Sequence, residues 1–287
     1  MYKKLEILFS IFIKTLAFIS FSILCLILIF ILKESLGLVH KVPFWSLISG
    51  VEWQPLELKP QVSVIPFLAA TIYVSLLAVI FAVPMGVAFA IFISIIVPES
   101  IHKILKAFVN MLAGIPSVIY GFIGLSVVVK FFEGHLNFST GESIFAGGIV
   151  LAVMILPYIV STCDETMSKV YGKYSIYSKS LGISKWYMIN NLIIPSCGRS
   201  ILVSVILSTG RAMGETMAVM MVIGNSPIMP KLFGKGETIP ALIALEMGSA
   251  QIGSIHYHAL FASGFVLMVL LLIINTIFYS ISKRIIV

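Results

Sequence analysis

Five long stretches of this chain carry no charged residue, and they constrain its fold more than any other feature. They are residues 15–32, 61–98, 107–129, 143–163 and 259–282. A helix needs about 20 apolar residues to cross the hydrocarbon core of a bilayer, so each stretch is a candidate membrane-spanning helix. In lipid only helices and closed barrels satisfy every backbone polar group, and these stretches lack the alternating pattern of barrel strands.

Residues 200–230 form a sixth apolar stretch, interrupted by Arg211 and Glu215. Six such stretches predict an all-α integral membrane protein with six transmembrane helices. The composition agrees, because 11% of the residues are charged, whereas soluble domains carry roughly 25%. A soluble helical protein is the alternative, but its helices would then show polar stripes. Lys33 and Glu34 follow the first stretch without a small-residue cleavage site, which indicates a retained helix rather than a signal peptide.

The lysines and arginines indicate how the helices are oriented. With six helices and the N-terminus in the cytoplasm, these residues are about twice as frequent in cytoplasmic segments as in outer ones. This bias predicts a multi-pass protein of the cell (plasma or inner) membrane with both termini in the cytoplasm. The same bias accounts for the net charge of +7, because the excess basic residues lie in cytoplasmic segments. We therefore expect contact with membrane lipid and no binding of nucleic acid.

Two units are expected along the chain. Residues 1–63 comprise the N-terminal transmembrane helix and an external segment, in which Trp45 and Trp53 are expected at the membrane interface. Residues 64–287 comprise a core of five transmembrane helices with a cytoplasmic loop at about residues 164–199.

The cytoplasmic loop is expected to form two short helices. An apolar stripe with helical spacing marks the first. The stripe consists of Val170, Tyr174, Tyr177 and Leu181. Gly182 is expected to end this helix in the left-handed conformation, and Ser184 to cap a second helix that carries Trp186 and runs to Pro195. Such a pair is either a docking surface for another protein or an amphipathic segment on the lipid headgroups.

Arg211 and Glu215 are the charged residues that most need an explanation. Each charge near the bilayer centre costs roughly 2.5–3.5 kcal/mol on insertion scales. Their spacing of four residues predicts one helix face and an ion pair. The pair is either purely structural or holds Arg211 in an aqueous path for an anion, since guanidinium matches phosphate and carboxylate geometry.

Neutral hydrogen-bond donors and helix breaks accompany this pair. Each donor is also able to bond its own helix backbone or a neighbouring helix. The donors are Asn110, Ser117, Thr71, Ser75, Ser208, Thr209 and Thr216. Pro84, Pro157 and the Gly-Ile-Pro sequence at residues 114–116 are expected to kink helices, and broken helices at membrane depth line cavities or are buried in protein.

The sequence contains no catalytic constellation. It lacks a Gly-x-x-x-x-Gly-Lys-Ser/Thr loop, so this chain is not expected to hydrolyse ATP by that route. His256 and His258 are too few for a zinc site and are expected at the surface or interface. The three cysteines match neither a disulfide framework nor metal-ligand spacing. We therefore expect no metal, no cofactor and no enzymatic activity in this chain.

A motif in the loop resembles the permease subunits of ABC importers. Gly182 followed by Leu192, Ile194 and Pro195 is similar to the end of their cytoplasmic loop motif: Glu-Ala-Ala, three residues, Gly, nine residues, Ile-x-Leu-Pro. The sequence departs from that motif at residues 176–178, where Ile-Tyr-Ser stands in place of Glu-Ala-Ala.

Two further motifs narrow the resemblance to phosphate permeases. Residues 112–121, Leu-Ala-Gly-Ile-Pro-Ser-Val-Ile-Tyr-Gly, resemble a phosphate permease signature. Residues 210–219, Gly-Arg-Ala-Met-Gly-Glu-Thr-Met-Ala-Val, are similar to PstC-type subunits, whereas the sister PstA-type subunit continues differently after Glu-Thr. The resemblance covers the region from Pro66 to Arg284.

The resemblance implies a type I ABC importer permease fold and phosphate import by alternating access. The implied partners are a PstA-like sister permease, PstB-like ATPase subunits that bind ATP, and a PstS-like external phosphate-binding protein. The family's functional arginine and glutamate correspond to Arg211 and Glu215. With the neutral donors, the predicted substrate path comprises Arg211, Glu215, Ser117, Asn110 and Thr216. The predicted ATPase coupling loop comprises Tyr174, Tyr177, Leu181, Gly182, Trp186 and Pro195.

Three other functions stay open at this point. The chain could be the PstA-type subunit or a permease for another oxyanion, with the same architecture. It could also be a membrane scaffold that senses phosphate through its partners without transporting it.

Overall fold

Helices make up most of the computed structural model, which describes residues 2–39, 41–136 and 140–284. The helices in these ranges are α1 (Tyr2–Val39), α2 (Phe44–Ser49), α3 (Ile65–Ile91), α4 (Glu99–Ala113), α5 (Ser117–Ile123), α6 (Lys130–Leu136), α7 (Ile144–Ser180), α8 (Lys185–Met188), α9 (Ile194–Met213), α10 (Met217–Ile223), α11 (Ile239–Glu246) and α12 (Ile255–Arg284). Turns of π-helix at Phe92–Ile96, Gly124–Val129 and Ile189–Ile193 continue α3, α5 and α8. The two short strands are β1 (Trp53–Gln54) and β2 (Gln61–Val62).

Six helical segments of the described chain are long and apolar enough to cross a membrane, which confirms the predicted six-helix architecture. They are Glu6–Val39, Ile65–Ile96, Ser117–His135, Ile144–Ser180, Lys185–Met213 and Ile255–Ser282.

Helix α7 forms the centre of the bundle, since 67% of the residues in its most apolar 18-residue stretch are buried. Small residues let α3 approach it closely: a Cβ on Gly86 would lie 2.7 Å from a methyl carbon of Ile159. Helix α1 lies at the periphery against α12, where Phe30 and Phe261 meet edge to face with ring centroids 5.4 Å apart. The apolar surface of α1 is largely exposed, as expected for a helix that faces lipid.

The third transmembrane helix begins later than predicted. Residues 107–113 belong to α4, an amphipathic helix with a single buried residue, Val109. The chain then breaks at Gly114, and the spanning segment starts at Ser117. Pro116 explains the break, because the residue before a proline is disfavoured in the helical conformation. The prediction of one span over residues 107–129 was wrong, since a charge-free stretch does not distinguish the apolar face of an amphipathic helix from a span.

The predicted pair of short helices in the loop is also wrong. Helix α7 continues without a break to Ser180, and the helix after the turn continues through a π-helical turn into α9. The turn itself is confirmed: Gly182 has φ +64°, and the Ser184 hydroxyl accepts a hydrogen bond from the Tyr187 amide at 3.2 Å. The loop is thus one tight turn between the ends of two long helices. We call the end of the bundle that contains this turn the loop end.

The opposite end, the hairpin end, is defined by the antiparallel pair β1–β2. Trp53 of β1 is buried and donates its indole N–H to Glu246 Oε2 at 2.9 Å, so its expected position at the membrane interface was wrong, whereas Trp45 is exposed. His256 is also buried, with Nε2 2.7 Å from the same carboxylate oxygen, and His258 Nδ1 lies 2.9 Å from the Glu34 carbonyl oxygen. The expectation of histidines at the surface or interface was therefore wrong for His256, which is buried inside the protein, whereas His258 is half-buried and packs against α1.

Candidate functional site

Arg211 and Glu215 lie on different elements. Helix α9 ends at Met213 with Gly214 as its C-cap, and Glu215 stands in the break before α10. There Glu215 Oε1 accepts a hydrogen bond from the Ala218 amide at 3.2 Å. No ion pair joins Arg211 to Glu215 in the described part of the chain. The predicted pair on one helix face was wrong, because the helix ends between the two residues.

Arg211 is held by an aromatic ring. Its guanidinium carbon lies 4.1 Å from the centroid of the Tyr158 ring, in a cation–π contact, and the residue is exposed. The Tyr158 hydroxyl donates to the carbonyl of Ala113, the last residue of α4, at 2.7 Å. Tyr158 therefore places the arginine beside the break at residues 114–116. Because a cation–π contact at an exposed site contributes only about 0.5–1 kcal/mol, it leaves the guanidinium free to bind an anion.

A cavity of ≈ 220 Å³ opens beside this arginine, between α7 and α9. It is lined by Tyr158, Thr162, Ser204, Leu207, Ser208 and Arg211. The Ser208 hydroxyl is buried and has no hydrogen-bond partner among the described residues. An unpaired buried polar group costs roughly 1–3 kcal/mol, so this hydroxyl would gain from an acceptor that enters the cavity.

Three of the other hydroxyl groups bond the backbone of their own helix, as the alternative to a path-lining role predicts. Thr71 Oγ1 donates to the Phe67 carbonyl, Ser75 Oγ to Thr71 and Thr209 Oγ1 to Val205. Ser208 is thereby distinguished from its neighbours in sequence.

The remaining predicted path residues lie on three elements. Asn110 of α4 is exposed and accepts a hydrogen bond from Ser161 of α7 at 3.4 Å, close to Tyr158 along that helix. Ser117 is the first residue of α5, and Thr216 immediately precedes α10; both are half-buried. No side-chain hydrogen bond or ion pair links any two of the five predicted residues within the described ranges. Among the described residues, Arg211 and Asn110 are linked only through α7, because each of them contacts a side chain of that helix.

The sequence reading missed Tyr158, Thr162 and Ser204. Their signal is helical spacing: Tyr158 and Thr162 are four residues apart, and Ser204 precedes Ser208 and Arg211 by four and seven residues. Side chains at these spacings share one helix face. Helices α7 and α9 are largely apolar there, so a polar face on each of them would have indicated a cavity between the two helices.

The predicted coupling residues surround the turn at Gly182. Large apolar side chains are exposed there: Tyr177 by 63%, Leu181 by 73% and Trp186 by 66%. Tyr174 is instead half-buried and packs against the core, and Pro195 lies exposed in the first turn of α9. An exposed apolar cluster of this kind marks contact with a partner or with lipid.

Comparison with known proteins identifies the family. Residues 82–287 match the family model described as binding-protein-dependent transport system inner membrane component. The chain is 37% identical to the probable ABC transporter permease protein YqgH of Bacillus subtilis, over 86% of this chain and 81% of that protein. It is 33% identical to the phosphate transport system permease protein PstC of Xylella fastidiosa, over 78% of this chain and 74% of that protein.

A solved structure confirms the fold at low sequence identity. The fold resembles a chain of the bacterial alginate ABC transporter in complex with an alginate pentasaccharide-bound periplasmic protein, with a TM-score of 0.60. The likeness covers 93% of this chain and 95% of that chain at 15% identity. The predicted ABC importer permease fold is therefore confirmed.

Proposed function

The chain belongs to the binding-protein-dependent transport system inner membrane component family, and from this premise we propose that it is the permease subunit of an ATP-driven phosphate importer. Relatives named PstC, a phosphate transport system permease, support phosphate as the substrate. Transport proceeds by alternating access, in which rocking of the helices opens the path to one side of the membrane and then to the other.

This proposal rests mainly on the surroundings of Arg211. Its guanidinium is exposed, it has no carboxylate partner among the described residues, and it adjoins a cavity with the unpartnered hydroxyl of Ser208. Arginine presents paired donors that match two phosphate oxygens. A single arginine with few neutral donors suits a relay that passes phosphate on, because it holds the anion without trapping it. Asn110, Ser117 and Thr216 extend this path toward the breaks before α5 and α10.

The exposed turn at Gly182 supports a separate ATPase as the partner. Tyr177, Leu181 and Trp186 present an apolar surface on which an ATPase subunit docks, and ATP is bound and hydrolysed by that subunit. A sister permease completes the path, and an external phosphate-binding protein delivers the substrate. Both termini and the loop end then lie in the cytoplasm, in agreement with the excess of lysine and arginine on that side.

Uptake of labelled phosphate by the reconstituted complex tests this function. Proteoliposomes that contain this chain, its sister permease, the ATPase and the binding protein should accumulate phosphate with ATP inside and not without it. Excess unlabelled sulfate serves as the control for another oxyanion and should leave the rate unchanged. A complete complex that hydrolyses ATP without accumulating phosphate would show that the chain is a sensing scaffold or carries another substrate.

A further inference from the structure

Asp164 of α7 is fully buried although it carries a carboxylate. Its Oδ1 accepts hydrogen bonds from the Ser94 hydroxyl at 2.9 Å and the Ser168 hydroxyl at 3.1 Å, and lies 3.0 Å from His102 Nε2. Its Oδ2 lies 2.9 Å from Lys106 Nζ. A charge this deeply buried is tolerated only when ionic and hydrogen-bonding partners surround it.

The partners of Asp164 come from different elements of the bundle. Ser94 lies in the π-helical turn after α3, whereas His102 and Lys106 lie on α4. Helix α4 has limited apolar packing, since Val109 is its one buried residue and packs with Ile93 and Val160 in a small cluster. Polar contacts with α7 therefore add to this small apolar cluster in fixing the position of α4. Two weaker ones follow along the same interface, from Ser161 to Asn110 and from Tyr158 to the last carbonyl of α4.

We propose that Asp164 is the positioning residue that makes α4 move together with α7. From Asp164, α7 runs unbroken to Ser180 and the exposed turn at Gly182. From Lys106, α4 runs to the break at residues 114–116, which Tyr158 holds beside Arg211. A displacement of the turn thus reaches α4 through the ionic joint at Asp164, and the Tyr158–Ala113 hydrogen bond is a second contact between α7 and the break. This inference rests on the proposed function, because it describes how a partner at the turn would act on the path.

The geometry favours a joint that can be broken without unfolding the protein. The Lys106 side chain is 40% exposed and that of His102 is 21% exposed, so water can solvate both if the carboxylate loses its charge. Asparagine at position 164 keeps the size of the side chain and still accepts hydrogen bonds from Ser94 and Ser168. It removes the charge that attracts α4.

Two single variants test the joint in the reconstituted complex. Asp164→Asn removes it, and Glu165→Gln is the matched control, because Glu165 is exposed and pairs with Lys169 of its own helix at 2.8 Å. The measurements are membrane abundance, ATPase rate and phosphate accumulated per ATP hydrolysed. For Asp164→Asn we expect normal abundance and ATPase rate, with accumulation per ATP lower by about tenfold, within the usual range of coupling between two sites. Glu165→Gln should behave as the unmodified protein.

A distance measurement tests the joint without relying on transport. Spin labels replace the exposed Lys103 of α4 and Lys173 of α7, after substitution of the three native cysteines. The distance between the labels should be narrow and the same with and without ATP. In Asp164→Asn it should broaden or shift when ATP is added.

The outcomes separate this inference from the proposed function. A narrow, unchanged distance together with normal accumulation per ATP in Asp164→Asn would overturn the joint. If Asp164→Asn does not accumulate in the membrane, Lys106→Gln tests the same contact from the exposed side, with the same expected results. If the unmodified complex moves no phosphate but its labelled helices stay together in an Asp164-dependent way, the proposed function fails and the joint stands.

Discussion

Replacing Arg211 by glutamine separates an anion-binding role from a structural one. The guanidinium contacts the Tyr158 ring at 4.1 Å and forms no ion pair with Glu215 in the described chain. Loss of a cation–π contact at an exposed site costs about 0.5–1 kcal/mol. Breaking a buried ion pair would cost roughly 3–5 kcal/mol. We therefore expect Arg211→Gln to reach the membrane at a near-normal level.

The effect of the same change on transport is expected to be much larger. A hydrogen bond to a charged group contributes about 1.5–3 kcal/mol, which corresponds to roughly a 10- to 150-fold change in affinity. Uptake at limiting phosphate should fall by a factor in that range in Arg211→Gln. Arg211→Lys should retain part of the uptake, because an ammonium group keeps the charge and loses the two-pronged geometry.

The assay pairs quantitative immunoblotting of membranes with initial rates of labelled phosphate uptake by the reconstituted complex. Glu165→Gln is the matched control, since Glu165 is exposed, pairs with Lys169 of its own helix and lies outside the predicted path. The double change of Arg211 and Glu215 to glutamine should stay as inactive as Arg211→Gln. The reasoning is refuted if Arg211→Gln loses most of its membrane abundance and the double change restores both abundance and uptake, because the two charges would then pair.

Three further changes test the turn, the cavity and the hairpin end. Gly182→Val strains a residue with φ +64° by about 1–2 kcal/mol, so phosphate uptake per ATP should fall. Gly172→Val is the control and should transport normally, because an added side chain meets no other atom at either position. Ser208→Ala removes a hydroxyl without a described partner, so membrane abundance should stay normal while uptake at low phosphate falls about fivefold. Ser75→Ala is the control. Equal uptake in both variants would contradict a role for the cavity. Burial raises the pKa of Glu237 from 4.5 to about 7, so stability should fall as pH rises between these values. In thermal unfolding, Glu237→Gln should remove that slope and stabilise the protein at pH 8 by about 3 kcal/mol at most; an unchanged slope would disprove this assignment.

The transmembrane helices were predictable because lipid imposes one strong requirement on sequence, a long apolar stretch. That requirement does not identify α4, which is amphipathic. The charge-free end of α4 and the following span were therefore predicted as one helix. An apolar stretch also gives no indication of the break after Met213, where a glycine ends the helix. The turn at Gly182 was predictable because glycine adopts a positive φ without a Cβ clash. Local backbone rules thus predicted the turn, and hydropathy alone misplaced the helix ends.

The candidate site was predictable only in part, because its geometry depends on contacts between helices. Arg211 stood out by the cost of a charge among apolar residues. The Tyr158 ring that holds it lies far away in sequence, and an aromatic residue in an apolar helix is unremarkable on its own. Asp164 was placed at a loop boundary, where a carboxylate is ordinarily solvated. Its burial follows from the position of α4, which the sequence reading had merged with a span.

The length of α7 has a mechanical consequence. Its 37 residues extend about 55 Å, well beyond a hydrocarbon core of about 30 Å. Pro157 lies inside it and removes a backbone hydrogen bond, which makes that level a natural point of bending. From Pro157 to Ser180 the helix forms a stiff arm of about 35 Å. A bend of roughly 10° at the proline would move the tip of this arm sideways by about 6 Å and would move Asp164, seven residues beyond the proline, by about 2 Å. A large displacement of the turn at Gly182 would thus become a small displacement at Asp164.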